Sequence, residues 1–292
     1  MSQSLLAGRR WGDARQGRPA WLLPLVADPG AMLAACFLVW LVATAMAPAL
    51  FTARDPIAIA PRAAFLPPDW AHPFGTDASG RDILARIIWG TRSSLLIGVL
   101  STGLALGVAI VIGTFGALGG RLAERCVARL LEVLFSFPTL ILSLLFAPSL
   151  GSGTRSLVLA VGIGSIAGYG RLVFGQMRSV REAGYVEAAR VLGHPAWRTI
   201  CVQIVPNAMR PLLVTATMGV GQTIVWASTL SFLGLGAPPP AAEWGTMLVM
   251  GRDYIAQAWW LTFFPGLFIV LTSLSTTVLG RALQRTLAAG GR

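Results

Sequence analysis

The side chains that most often carry out chemistry in proteins are scarce in this sequence. Its 292 residues include 2 histidines and 12 acidic residues, and all 23 basic residues are arginine. A phosphate-binding loop of the common ATPase type needs a lysine that reaches the terminal phosphates of the nucleotide. Because the sequence contains no lysine, it cannot form a standard ATP site.

The remaining candidates for catalysis or metal binding are two histidines and two aspartates. The membrane topology developed below places His72 and His194 on opposite sides, so we do not expect them to form one metal centre. Asp77 and Asp82 have the side chains of a paired acid and base, but carboxylates before a helix are more commonly caps. We therefore expect a chain that is not an enzyme, with no catalytic residues, no metal site and no cofactor of its own.

The elements that must position these residues are long apolar segments. The sequence is 55% hydrophobic and only 12% charged, which is typical of membrane proteins. A spanning helix needs about 20 apolar residues to cross about 30 Å of hydrocarbon. Six runs meet this requirement: 31–53, 93–120, 133–154, 156–177, 211–242 and 254–280. The sequence therefore predicts an all-α, polytopic membrane protein with six transmembrane helices.

The distribution of arginine predicts how the chain is oriented. Basic residues are enriched in the cytoplasmic loops of membrane proteins, and six spans place both termini on one side. With the termini inside, 16 of the 23 arginines lie in cytoplasmic segments, so we predict an N-in, C-in topology. The net charge of +11 is spread over these short loops, which favours contact with membrane lipid and argues against nucleic acid as a partner.

This topology divides the chain into five parts. A cytoplasmic tail of residues 1–30 precedes the first transmembrane helix, and residues 54–92 form a periplasmic or extracellular segment. A five-helix core over residues 93–280 contains a cytoplasmic loop at 178–210, and residues 281–292 form a cytoplasmic C-terminal tail.

Several local predictions refine this plan. Asp77 or Ser79 is expected to cap a short helix that leads into the second span. Small residues four apart in that span predict close approach of neighbouring helices, along one stripe of Ser94, Gly98 and Thr102 and another of Gly103 and Gly107. Residues 119–138 predict an amphipathic helix that enters the third span, with an apolar face of Leu122, Cys126, Leu130 and Leu134.

A polar segment, "EAARVLGHPAWRTICVQIVP" at residues 187–206, separates the fourth and fifth runs. Its first residues favour a short helix, Gly193 supplies the left-handed conformation that ends it, and Pro195 prevents its continuation. A second helix is predicted from about residue 196 to 205. The two helices would form a compact cytoplasmic projection with alanines on its exposed side, although a connecting loop with helical propensity fits the residues equally well.

Polar residues in the fifth run are candidates for a transport pathway. Thr215, Gln222 and Thr229 recur seven apart on one helix face, where they either line a pathway or form hydrogen bonds between helices. Beyond them, the stretch Phe232, Leu233 and Gly234 is a candidate gate before a Gly- and Pro-rich break.

The charges inside the six runs bear on the mechanism of transport. Ion-coupled carriers usually keep Asp, Glu or His inside their spans, whereas these runs contain only Arg171. This disfavours a proton-driven carrier, but a channel lined by Ser, Thr and Gly remains compatible with the composition.

Three motifs resemble those of a known family. The spacing of Glu187, Ala188 and Ala189, then Gly193, then Ile204, Val205 and Pro206 is similar to the EAA motif of permeases in binding-protein-dependent ABC importers, although Val205 stands where leucine is usual. The segments "HPFGTDASGRDILARIIWGTRSSL" and "LSFLGLGAPPPAAEWGTML" resemble the second permease of dipeptide, oligopeptide and nickel uptake systems. The resemblance runs from about His72 to the C-terminus, with the motifs in the expected order.

The resemblance implies a type I ABC importer permease in the bacterial cytoplasmic (inner) membrane. It implies a second homologous permease, two cytoplasmic ATPases that bind ATP and Mg²⁺, and a periplasmic or lipid-anchored binding protein. Alternating access would import peptides or a similar small solute; nickel or another non-peptide solute, and an ATP-independent channel or carrier, are the alternatives. The implied ATPase contact consists of Glu187, Ala188, Ala189 and Gly193, flanked by Tyr185 and Arg190.

Overall fold

The computed structural model of the chain describes residues 28–290 and is predominantly helical over that range. The predicted tails at residues 1–27 and 291–292 lie outside the described residues. The helices are α1 Pro29–Met46, α2 Ile83–Leu118, α3 Gly120–Phe135, α4 Thr139–Phe146, α5 Thr154–Arg181, α6 Gly184–Val191, α7 Ala196–Leu235, α8 Trp244–Arg252 and α9 Trp260–Gly290.

The structure confirms the prediction of a helical membrane protein with up to six spans. Helices α1, α2, α5, α7 and α9 are each long and apolar enough to cross a bilayer. Helices α3 and α4 meet the same criterion only as a pair, and they are bent by 87° at their junction. The described residues therefore contain five helices that can each span a membrane, and six spans if the bent pair α3–α4 counts as one.

The bend between α3 and α4 corrects the prediction of one continuous helix over residues 133–154. Helix α3 begins at Gly120, and the chain leaves helical structure at Ser136 before α4 starts at Thr139. Pro138 lies in this break, where it disfavours the helical conformation of the residue before it and lacks an N–H group. Continuous hydrophobicity therefore concealed a sharp bend.

Three other helix boundaries also differ from the apolar runs. Helix α1 ends at Met46, two residues before Pro48, rather than at residue 53. Helix α9 starts at Trp260 rather than at residue 254, because Gln257 and Ala258 donate backbone hydrogen bonds to Tyr254 in a turn. Helix α7 ends at Leu235, earlier than residue 242, and helix α9 continues through residues 281–290 of the predicted C-terminal tail.

Helix α7 also begins earlier than predicted and passes through Pro206 without ending. Residues Thr199–Ile204 form a π-helical stretch, in which Val205 donates its N–H to the carbonyl of Ile200, five residues earlier. This wide turn lies directly before Pro206, which cannot donate a backbone hydrogen bond. The predicted second helix of the polar segment and the fifth span are therefore one element.

Close packing of α2 on α7 confirms one of the two small-residue stripes. The Thr223 hydroxyl donates to the carbonyl of Gly98 at 2.9 Å and lies 3.0 Å from the Thr102 hydroxyl. A Cβ atom at Gly98 would lie 2.6 Å from Ile224 Cγ1, so glycine is required for this approach. At Gly103 and Gly107 a Cβ atom would meet nothing within 4 Å, so the prediction of a second packing stripe was wrong within this chain.

Helix α3 is amphipathic as predicted, but it packs through a different face. Its buried residues are Ala123, Val127 and Leu131, whereas Leu122 is 77% exposed and Leu130 is 47% exposed. The reason is the shape of the neighbouring helices: Val127 packs against Gly116 of α2, and Leu131 against Gly170 of α5. These glycines, on two other helices, determine which face of α3 is buried. The periodicity of the α3 sequence alone therefore cannot identify that face.

The outer end of the bundle is held together by Arg86, which is 1% exposed. Its guanidinium donates to the carbonyls of Pro56, Pro240 and Ala241 at 3.2–3.3 Å and lies 3.9 Å from the carboxylate of Asp77. One side chain thus joins the start of α2 to two distant loops.

Asp82, rather than Asp77 or Ser79, caps α2 by accepting the N–H of Ala85 at 2.8 Å. The predicted short helix is the first part of α2 itself, which runs for 36 residues from Ile83. Asp77 instead closes the preceding turn, where its carboxylate accepts the N–H groups of Ser79 and Arg81.

Candidate functional site

The polar segment folds into a projecting corner, here called the inner corner and defined as residues 184–198. Helix α6 ends at Gly193, whose φ of 78° is left-handed. The N–H of His194 donates to Ala189 at 3.1 Å, and the N–H of Gly193 donates to Arg190 at 3.0 Å. These two bonds form the Schellman motif that terminates helices at glycine, and α7 starts directly after Pro195. The prediction of two helices meeting at a Gly-His-Pro corner is confirmed.

The exposed side of the inner corner carries most of the residues that sequence reasoning selected. Tyr185, Glu187, Ala188, Arg190 and Gly193 are all exposed. Ala189 is only 3% exposed and packs inward beside the fully buried Val186, three residues earlier on the same helix face. The expectation that Ala189 belongs to the exposed surface was therefore wrong, because its side chain anchors α6 to the bundle.

Sequence reasoning missed an apolar patch on the same surface. Val191 is 83% exposed, Leu192 is 75% exposed and Trp197 is 68% exposed. Large apolar side chains grouped on a surface commonly mark a protein contact. The sequence did contain a sign of this patch. Val191 and Leu192 are adjacent at the end of a helix of eight residues, so they point in different directions and cannot both face the bundle.

A cluster of ion pairs fixes the base of the inner corner to the bundle. Glu124 of α3 lies 3.3 Å from Arg178 and 3.6 Å from Arg181, both at the end of α5. Glu182 also pairs with Arg178, at 3.1 Å. The guanidinium of Arg181 donates to the carbonyl of Ala117 at the end of α2. The end of α5, which leads into the inner corner at residue 184, is thus attached to both α2 and α3.

A second feature is an open cleft of about 840 Å³ between α3, α4, α5, α7 and α9. Thr215 and Gln222 line it, as predicted for the pathway face, but Thr229 does not: its hydroxyl donates to the carbonyl of Val225, one turn earlier in α7. The cleft is lined by Phe135, Thr139, Ser165, Gly168, Tyr169, Arg171, Leu172, Gly175, Gln176, Thr215, Met218, Gly219, Gln222, Thr223, Trp226 and Thr277.

The candidate gate residues lie at the far end of α7 from the inner corner. Phe232 is 40% exposed, Leu233 is 53% exposed, and Gly234 adopts a left-handed φ of 88° within the π-helical end of α7. None of the three lines the cleft as the structure shows it.

The chain then turns back over this end. Glu243 is 2% exposed, caps α8 through the N–H groups of Gly245 and Thr246, and accepts the hydroxyl of Ser231 at 3.1 Å. The Gly- and Pro-rich segment between α7 and α8 is therefore held firmly at the outer end.

The two histidines lie at opposite ends of the bundle, as expected. His72 is 2.8 Å from the Asp82 carboxylate, which also pairs with Arg54 at 2.6 Å. His194 lies in the inner corner, before the 40-residue α7 that leads to the outer end. The predicted acid–base pair is not assembled either, since Asp77 and Asp82 serve a turn and a helix cap, respectively.

Taken together, an apolar helical bundle, a projecting corner and a cleft between its helices that several polar side chains line define a polytopic membrane permease. Residues 105–289 match the family of the binding-protein-dependent transport system inner membrane component. The chain belongs to this family, and it is accordingly a transport subunit of the inner membrane.

Curated relatives agree with this assignment. The chain is 39% identical to the probable D,D-dipeptide transport system permease protein DdpC of Escherichia coli (strain K12), over 82% of this chain and 81% of that protein. It is 38% identical to the di/tripeptide transport system permease protein DppC of Pseudomonas aeruginosa (strain UCBPP-PA14), over 76% of this chain and 75% of that protein.

The fold is similar to those of two solved transporters. A chain of an amino acid ABC transporter superposes with a TM-score of 0.57 at 17% identity, over 69% of this chain and 94% of that one. A chain of the MetNI methionine ABC transporter, in an inward-facing conformation, gives a TM-score of 0.58 at 17% identity, over 70% of this chain and 97% of that one.

Proposed function

We propose that this chain is one permease subunit of an ATP-driven importer that moves peptides across the inner membrane. The observation that carries the choice of solute is the 38–39% identity to permeases named for D,D-dipeptides and di/tripeptides, over three quarters or more of this chain. An external binding protein would deliver the peptide, in keeping with the family to which the chain belongs.

The inner corner is the proposed contact with a cytoplasmic ATPase. Its exposed polar residues, Glu187 and Arg190, adjoin the apolar patch of Val191, Leu192 and Trp197, and such a mixed surface suits a protein partner. ATP and Mg²⁺ would bind in that partner, because this chain has no lysine with which to build a phosphate-binding loop.

The connectivity of the inner corner explains how its displacement would reach the cleft. Helix α5 leads into the corner and α7 leads out of it, and both helices line the cleft. A movement of the corner driven by nucleotide binding would therefore tilt two walls of the cleft together. We propose that this tilting exposes the cleft alternately to the two sides, with Phe232, Leu233 and Gly234 contributing to the outer gate.

The open side of the cleft supports pairing with a second, homologous permease. Polar residues such as Thr215 and Gln222 border a space that this chain encloses only in part. A second permease subunit would complete the enclosure, so that a polar solute avoids contact with lipid tails. Two permeases and two ATPases would then form the membrane complex.

Reconstitution tests this function directly. The permease pair, the ATPases and the binding protein are incorporated into vesicles, and uptake of a radiolabelled dipeptide is measured with and without ATP. We expect uptake only with ATP and with hydrolysis-competent ATPases. Uptake that persists when hydrolysis is blocked, or conduction by this chain alone, would replace the proposal with a channel or carrier.

A further inference from the structure

The cleft contains one charged side chain, that of Arg171, among the residues that line it. The other polar groups in its lining are neutral hydroxyls and amides. Within residues 28–286 no carboxylate lies within ion-pair distance of Arg171. Three nearby acids are engaged elsewhere: Glu132 pairs with Arg129, and Glu124 and Glu182 pair with Arg178 at the end of α5. The cleft therefore holds an uncompensated positive charge.

The position of Arg171 along α5 makes this charge costly. Arg171 is the one charged residue in the apolar run at 156–177 of α5, and it lies six residues, or about 9 Å of helix rise, before that run ends. Charged side chains at such depth in a membrane segment are rare, and they usually face a water-filled cavity and mark the path of a solute or ion. Lining an open cleft is consistent with that use.

The guanidinium of Arg171 is also held in place by an aromatic ring. Its Cζ atom lies 5.0 Å from the centroid of Phe135, at the end of α3, which is the geometry of a cation–π contact. This contact orients the planar group without consuming its N–H donors. The side chain remains exposed, so its donors are free to bind a second group.

We propose that Arg171 binds the carboxylate of the transported solute during its passage through the cleft. The inference rests on the proposed function, because a peptide with a free C-terminus always carries a carboxylate. A guanidinium presents paired N–H donors that match the two oxygens of a carboxylate, which makes it selective for this group. Arg171 would thus add a requirement for an anionic group to whatever selection the binding protein exerts.

The test compares two probes in vesicles that contain the whole complex: dialanine and dialanine amide, which lacks the carboxylate. The binding protein is loaded with each probe, and loading is measured separately. Arg171→Gln removes the charge, whereas Arg171→Lys keeps it in a different shape. Arg155→Gln is the matched control, because Arg155 is an exposed arginine at the opposite end of the same helix and does not line the cleft.

We expect Arg171→Gln to slow dialanine uptake about tenfold, the loss expected when a hydrogen-bonded charged pair is broken. Uptake of the amide should be unchanged, Arg171→Lys should be intermediate, and Arg155→Gln should match the wild type. ATP hydrolysis stimulated by the loaded binding protein should persist in Arg171→Gln, because the change affects the solute rather than the ATPases.

Equal uptake of dialanine by the wild type and Arg171→Gln would overturn the inference. An equal fall for both probes would also overturn it, since it would indicate a role in packing or in contact with lipid phosphate. If Arg171→Gln fails to assemble, Arg171→Lys decides by the same comparison of probes. If the binding protein rejects the amide, dialanine uptake by the three forms decides. Uptake that falls from wild type to Arg171→Lys to Arg171→Gln supports the inference, and equal uptake by all three overturns it. A wild-type complex that imports no dipeptide would refute the proposed solute and this inference with it.

Discussion

The left-handed residue of the inner corner offers a sharp test of how this permease engages its ATPase. Gly193 has a φ of 78°, and a Cβ atom placed there would meet no atom within 4 Å. Replacing it therefore introduces no clash within the chain. Gly193→Val acts only through the backbone, where a left-handed conformation costs a residue with a side chain about 1–2 kcal/mol, and a β-branched residue more.

The expected magnitude follows from that conformational cost. If the ATPase binds only the intact corner, 1–2 kcal/mol lowers the ratio of intact to melted corner by about 5–30-fold. The Kd for the ATPase should rise by up to the same factor, and ATP-driven dipeptide uptake should fall with it. The transmembrane bundle should keep its stability, because the Schellman bonds of Gly193 and His194 involve only the end of α6.

The assay measures how much ATPase co-purifies with the permease pair, together with uptake in vesicles. Gly193→Asn is the matched control, because asparagine tolerates the left-handed region far better than valine does. Gly193→Val with wild-type binding and uptake would refute the reasoning. If Gly193→Asn were as defective as Gly193→Val, the ATPase would require the absence of a side chain at this position rather than its left-handed backbone conformation.

Three further predictions concern stability, each read from the thermal unfolding midpoint of the purified permease pair. Arg86→Met should destabilise by about 3–5 kcal/mol, because it leaves three carbonyls without their donor and removes one of the two arginines beside the buried Asp77 carboxylate; the exposed control Arg92→Met should have little effect. Gly221→Ala should lower the free energy of unfolding by about 1–3 kcal/mol, since its Cβ would lie 2.7 Å from a backbone atom of α9. The control Gly103→Ala should be neutral or stabilising, because a Cβ there meets nothing within 4 Å. Thr223→Val should cost about 1 kcal/mol by removing the hydrogen bonds between α2 and α7. An unchanged midpoint in any of the three destabilising variants would contradict the packing described for it.

The features that sequence reasoning predicted correctly are local ones. Hydrophobic runs identify the spans because each must cross the bilayer by itself. The inner corner was predictable because Gly193 and Pro195 dictate its backbone within a few residues. The shared position of Thr215 and Gln222 on the cleft has the same origin, since residues seven apart share a helix face; their role in a pathway stays a prediction.

The features that could not be predicted depend on partners distant in the chain. Arg86 contacts carbonyls more than 150 residues away, at Pro240 and Ala241, and no local pattern indicates that pairing. Likewise, the buried face of α3 is chosen by glycines on other helices, and Ala189 is buried because α6 rests on the bundle. Arg171 was visible as a charge within a span, but its exposure to a cleft required the structure.

The central claim is that the inner corner contacts the subunit that hydrolyses ATP. Cross-linking tests it most directly, with Val191→Cys placed in a chain whose exposed Cys36, Cys126 and Cys201 are replaced. Trp70→Cys is the control, because Trp70 is fully exposed in the outer segment at the opposite end of the bundle. In an active complex, a short thiol-reactive cross-linker should join residue 191, and not residue 70, to the ATPase. An active complex that yields no adduct from residue 191, or yields one from residue 70, would contradict the account.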